Sequence, residues 1–136
     1  MKTISEVSRI VGISRRTLQY YDDEGILLTE RTPNNHRVYD QNAMESIWQI
    51  LVYKEMDFEL QEIRQLLKSD KAQKDLYFKK RIEAIRNQII TLKVQMKFIS
   101  LVQVKEMPAK PDENSGKTYV RRIEELRRKI REEVTG

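Results

Sequence analysis

The residues best equipped for chemistry in this chain are Ser14, Arg15, Arg16, Thr17 and Gln19, and their chemistry is hydrogen bonding rather than bond making. Two guanidinium groups, two hydroxyls and an amide placed side by side are the donors and acceptors that read base edges and phosphates. One bidentate arginine–guanine contact is worth about 1–3 kcal/mol of discrimination. Tyr20 adds a hydroxyl that can reach a phosphate, while Tyr21, three residues after Leu18, shares the inward face with it. No catalytic constellation competes. There is no nucleophile–base pairing, no glycine loop to cradle phosphate, no cysteine, and a single histidine, His36. We therefore expect no enzyme activity, no metal site of thiolates or clustered imidazoles, and no cofactor.

Two short helices must position these groups. Thr3 and Glu6 have capping-box spacing, and Ile4, Val7 and Val11 fall on one face of the helix that follows. Gly12 supplies the turn, Ser14 is a natural N-cap for a second helix, and Ile13 and Leu18 bury it against the first. This is a helix-turn-helix pattern, with Arg15, Arg16, Thr17 and Gln19 outward near the second helix's N-terminus, where such helices meet the major groove. Gly25 reads as a helix stop. Pro33-Asn34-Asn35 is a turn between two short extended segments, the second being Arg37-Val38-Tyr39. A hairpin there is a wing. Asn34, Asn35 and His36 at its tip have two readings: contacts to a neighbouring phosphate or minor groove, or a plain exposed turn. Asp40 can cap a third helix with Met44, Ile47 and Leu51 inward. Leu60, Ile63, Leu66 and Leu67 form the stripe of a fourth, with Phe58 as a staple to Ile63.

On Val7, Gly12-Ile13-Ser14, Arg16-Thr17-Leu18, Tyr20-Tyr21, Gly25-Ile26-Leu27, Arg37-Val38-Tyr39-Asp40 and Phe58-Glu59-Leu60-Gln61-Glu62-Ile63, the chain resembles the MerR family of bacterial transcription regulators. These marks span residues 2–68 in order. The resemblance implies a winged helix-turn-helix domain dimerised through a following long helix. It also implies binding to promoter DNA that is distorted to change how RNA polymerase engages. It makes Arg37 a backbone-contacting arginine of the wing, accompanied by Tyr39. Three positions depart from the pattern: Gln19 replaces an arginine, Asn35-His36 replaces glycine-tyrosine, and Glu59 replaces a serine cap. The first two bear on base preference and wing contacts, not on the fold.

Charge is uneven. The chain carries +5, but residues 1–70 hold 9 Lys/Arg against 12 Asp/Glu, while residues 71–136 hold 17 against 9. DNA binding by the first half must therefore rest on local placement of Arg15, Arg16, Arg31 and Arg37 rather than on bulk charge. No apolar run reaches the ~18–20 residues of a membrane span and no signal-peptide core opens the sequence, so a cytoplasmic location is expected.

From residue 78 the apolar positions are Phe78, Ile82, Ile85, Ile89, Leu92, Met96 and Ile99, alternating four and three without a miss. That strict seam, extended to Gln103, covers about 39 Å and predicts a coiled-coil homodimer. Flanking Lys79, Arg81, Arg86 and Lys93 leave strand direction open; the antiparallel choice comes from the resemblance alone. Ile90, Val94, Leu101 and Val104, with Phe98 beside them, form a second stripe. Tyr119, Val120, Ile123, Leu126, Ile130 and Val134 trace one face of a last helix, which we expect to fold back on that stripe of its own chain or of its partner. Its outer face, with Arg121, Arg122, Arg127, Arg128, Lys129 and Arg131, is either a solvated mixed-charge surface or a contact to DNA or an acidic partner.

The expected architecture is mainly all-α. A winged helix-turn-helix domain with a small β-hairpin (1–70) precedes a long coiled-coil dimerisation helix (71–107), a linker (108–117) and a C-terminal amphipathic helix (118–136). The expected function is a dimeric DNA-binding transcription regulator acting on a pseudopalindromic promoter site. Its partners would be double-stranded promoter DNA, a second copy and RNA polymerase. Trp48 reads as a core residue or as a seat for the partner's long helix. A small apolar effector between the late stripe, the last helix and Trp48 is one reading, and no ligand at all is the other. The alternatives are a coiled-coil protein-interaction module and an architectural, excisionase-like DNA-bending factor.

Overall fold

The structure, a computed structural model, describes Met1–Gly136 and divides into two compact units, Met1–Tyr77 and Phe78–Gly136.

In the first unit, β1 (Lys2–Thr3) leads directly into α1 (Ile4–Val11). Thr3 accepts from the Glu6 N–H at 3.3 Å, and its hydroxyl faces the Glu6 carboxylate at 3.2 Å. Gly12, at φ +85°, takes the left-handed conformation that ends α1, donating to the Ser8 carbonyl at 2.9 Å. A side chain with a Cβ adopts that conformation only with strain. The turn is pinned a second time by the Ser8 hydroxyl, which donates to the Ile13 carbonyl at 2.6 Å. α2 (Arg15–Asp23) follows, and Gly25 closes it at φ +71°. There the Gly25 and Ile26 N–H groups satisfy the Asp22 and Tyr21 carbonyls, a Schellman ending.

Next come β2 (Glu30–Arg31) and β3 (Arg37–Tyr39), joined by a tip in which Asn35 stands at φ +64°. Asn is one of the few non-glycine types that tolerate this region. The sheet has one more strand than the sequence suggested. β3 is central in the order β1-β3-β2, both neighbours being antiparallel to it, with Thr3 opposite Val38 and Arg31 opposite Arg37. The extra strand stitches the chain's beginning to the wing.

α3 (Gln41–Glu55) starts where the Asp40 carboxylate accepts from the Ala43 N–H at 2.8 Å. Its buried stripe is Ala43, Ile47, Ile50 and Tyr53, rotated from the expected Met44–Ile47–Leu51 line, whose outer two members are half-buried. α4 (Leu60–Lys68) is entered through Glu59, whose N–H donates to the Glu62 carboxylate at 3.0 Å. A carboxylate box thus does the work of a serine cap. Phe58 is buried with its ring edge-on to Tyr53, centroids 6.2 Å apart. Val7, Leu18, Leu27, Tyr39, Ile47, Ile50, Ile63 and Leu66 make the core of this unit.

α5 (Lys71–Lys105) runs 35 residues without glycine or proline, and from Phe78 on it supplies nearly half of the second unit. A single 3₁₀ turn at Glu113–Ser115 precedes α6 (Tyr119–Thr135), which Thr118 caps by accepting from the Arg121 N–H at 3.1 Å. Val94 of α5 and Ile130 of α6 are buried. Phe98, Leu101 and Val102 share a cleft of about 300 Å³ with Leu126 and Ile130, so α6 lies back along the late stripe of its own chain. Only the C-terminal half of its apolar face is covered: Tyr119, Val120 and Ile123 remain exposed, as does Val104 on α5. No helix is long and apolar enough to cross a membrane.

Candidate nucleic-acid interface

α2 splits by face. Leu18 and Tyr21 are buried, whereas Arg15, Arg16, Gln19 and Tyr20 are exposed, Tyr20 to 50%. The two tyrosine rings lie 6.4 Å apart and tilted by 49°, one anchored in the core and the other presented outward. Ser14 serves the helix first: its hydroxyl accepts from the Thr17 N–H at 3.1 Å and sits 2.8 Å from the Thr17 hydroxyl. Those two hydroxyls are therefore paired with each other, while Arg15 and Arg16 stay exposed beside them.

At the wing, Asn35 and His36 are exposed. The tip is an ordered turn: the Asn35 N–H donates to the Thr32 carbonyl at 2.8 Å, and the Thr32 N–H to the His36 carbonyl at 2.9 Å. The His36 N–H also donates to the Thr32 hydroxyl at 3.2 Å, and the Arg31 guanidinium reaches the Asn35 carbonyl at 3.2 Å.

Tyr39 requires a correction. At 1% exposed it belongs to the core, and its hydroxyl is buried with no hydrogen-bond partner. It cannot accompany a phosphate contact. The reason is strand geometry: Tyr39 lies on the side of β3 opposite to Val38, and that side faces the helices. Burial pushes its phenol up from the ordinary value.

Arg37 shares that inward side. Its Nε donates to Asp22 Oδ2 at 2.5 Å and a terminal nitrogen to Asp23 Oδ1 at 3.1 Å. The Arg37 and Asp22 side chains are 17% and 19% exposed. The hydrogen bond to Asp22 raises the guanidinium's pKa further still. The sequence reading gave Arg37 to the DNA backbone and gave Asp22 and Asp23 no role. A signal for them existed: two acids end α2 with no basic residue in its last turn, where the helix dipole disfavours anions. Arg64 of α4 makes a second tie to this end of α2, donating to the Glu24 carbonyl.

In the second unit, the expected seam residues Ile82, Ile85, Ile89, Leu92, Met96 and Ile99 are exposed by 38–67% in the single chain, and Phe78 is half-buried. Trp48, on α3, is 66% exposed rather than packed in its own core. A groove of about 710 Å³ runs between Val94, Phe98, Ile99 and Val102 of α5 and Arg127 and Arg131 of α6.

Residues 2–70 match the sequence profile of MerR HTH family regulatory proteins. Among curated proteins, the chain is similar to the nodulation protein NolA of Bradyrhizobium elkanii, 34% identical over 87 residues, or 63% of this chain and 39% of that one. It is also similar to the HTH-type transcriptional activator TipA of Streptomyces coelicolor, 32% identical over 88 residues, 64% of this chain and 35% of that one. The chain thus spans well under half the length of these relatives. Its fold is similar to the solved N-terminal part of Mta, the Bacillus subtilis multidrug transporter activator. The TM-score is 0.69 at 25% identity, covering 76% of this chain and 99% of that one.

Proposed function

The chain belongs to the MerR family of helix-turn-helix regulatory proteins, and from that footing we propose that it is a homodimeric transcription regulator that binds a pseudopalindromic promoter site. Residues 1–70 read the DNA and the long helix of 71–107 pairs two readers, so that each meets one half-site, about 34 Å from the other. The observation that carries this reading is the split of α2: Leu18 and Tyr21 anchor one face in the core while Arg15, Arg16, Gln19 and Tyr20 stand outward. A dimer whose two readers do not match straight DNA bends or untwists it, at a cost of order 1–6 kcal/mol. That distortion is the means by which it acts on RNA polymerase at a promoter in the cytoplasm. An effector would act by binding one dimer geometry better than another.

The test begins with selection of duplexes from a randomised pool by the wild-type chain, followed by a mobility shift against its own upstream region. A salt-dependent shift that Arg16→Ala loses supports the regulator. No shift at low salt supports the rival reading, a protein-interaction module, which the net −3 of residues 1–70 favours.

A further inference from the structure

Arg37, Asp22 and Asp23 form a cluster that the reading above leaves unused. One guanidinium between two carboxylates carries a net charge of −1, which repels a phosphate rather than capturing it. The acids are also poorly placed for the helix they end, since α2 presents its negative dipole end there. What the cluster does is mechanical. Asp22 belongs to the recognition helix and Arg37 to the central strand of the wing sheet, fifteen residues on, and the fork of the guanidinium holds two points of the helix at once.

We propose that Asp22, with Asp23 in support, fixes the orientation of the wing relative to the recognition helix through Arg37. Arg37 is then a positioning residue, and the groups that meet the duplex from the wing are those of the exposed tip around Asn35 and His36. This rests on the DNA-binding reading above. Because β3 is the central strand, a latch at Arg37 orients β2 and the tip together with it.

The sign of one substitution separates this from simple electrostatics. Asp22→Asn removes a negative charge from the DNA-binding unit, so charge alone predicts tighter binding. The latch predicts weaker binding, about tenfold, to a duplex selected by the wild-type chain and measured well below the thermal midpoint. Arg37→Lys keeps the charge but loses the fork, and a similar loss is expected. In an Arg37→Gln background, Asp22→Asn causes no further loss of affinity. Arg37→Gln itself leaves the slope of log affinity against log salt unchanged, whereas losing a direct phosphate contact lowers it by about 0.9. The Arg37 Nε–H resonance stays at its paired position when DNA is added and moves in Asp22→Asn.

Equal or tighter binding by Asp22→Asn, wild-type binding by Arg37→Lys, or additive effects of the two sites overturn the proposal. Should Asp22→Asn fail to fold, Asp23→Asn at an exposed position takes its place, with about a threefold loss expected and unchanged binding overturning the latch. A wild-type chain that selects no duplex removes the DNA-binding reading and this inference with it. A wild-type chain that binds, beside an equally competent Asp22→Asn, removes this inference alone.

Discussion

Arg16 and Tyr39 show how differently two side chains of one DNA-binding unit are used. Arg16 is held out on a capped helix and contributes little to the core. Replacing it with alanine is expected to weaken specific duplex binding by about tenfold to a hundredfold, from the loss of a contact worth about 1–3 kcal/mol. The thermal midpoint should stay within a degree or so, which scanning calorimetry checks. Tyr39 is the reverse case. Its hydroxyl is buried without a partner, a state costing about 1–3 kcal/mol. Tyr39→Phe should raise stability by up to about 1 kcal/mol in urea unfolding and leave duplex affinity unchanged. A fall in affinity with unaltered stability would return Tyr39 to the DNA surface.

Helix ends are where local chemistry fixed the elements. Ser14, Asp40 and Thr118 each accept from the backbone N–H three residues on, and each precedes a helix. Ser14→Ala should cost about 1 kcal/mol of stability by loosening the first turn of α2. Ser14→Asp, which also caps, should retain that stability yet bind DNA less well because it adds negative charge beside Arg15. At α6 the cap is reinforced by Glu125, which takes Lys117 at 2.9 Å and lies near Arg121 and Arg122. The hydrogen bond from Lys117 is the main cause that holds its carboxyl below the usual carboxylate range. A lowered folded pKa favours the folded state fully above the ordinary value and loses that contribution as pH falls through the lowered one. Acid titration of α6 followed by circular dichroism should therefore show a step below the ordinary carboxylate range that Glu125→Gln abolishes.

At the scale of the whole molecule, the proposed pairing of two readers rests on the row from Ile82 to Ile99. Six large apolar side chains stand exposed along one helix, and the dimer proposed above would cover them with a second copy. Ile89→Asp at the middle of the row should convert a dimer to a monomer in analytical ultracentrifugation at micromolar concentration. Specific duplex binding should be lost with it, while the fold of residues 1–77 persists. A variant that stays dimeric would place the pairing surface elsewhere. Truncation after Met107 tests the return of α6: it uncovers Val94 and should lower the thermal midpoint of the dimer.

What was legible in the sequence is what is local. Caps, the Gly12 and Gly25 stops and the seven-residue seam are each specified within a few residues of themselves, so spacing alone declared α1, α2, α4, α5 and α6. The outward face of α2 followed from the same period of 3.6. What the tertiary structure decided is non-local. β1 pairs with a strand more than thirty residues away, and two residues carry no periodicity by which to announce it. Which side of three-residue β3 turns inward depends on the helices it meets, and that choice buried Tyr39 and drew Arg37 onto Asp22. The rotation of the α3 stripe, and the exposure of Trp48, depend in the same way on neighbours that only folding brings together.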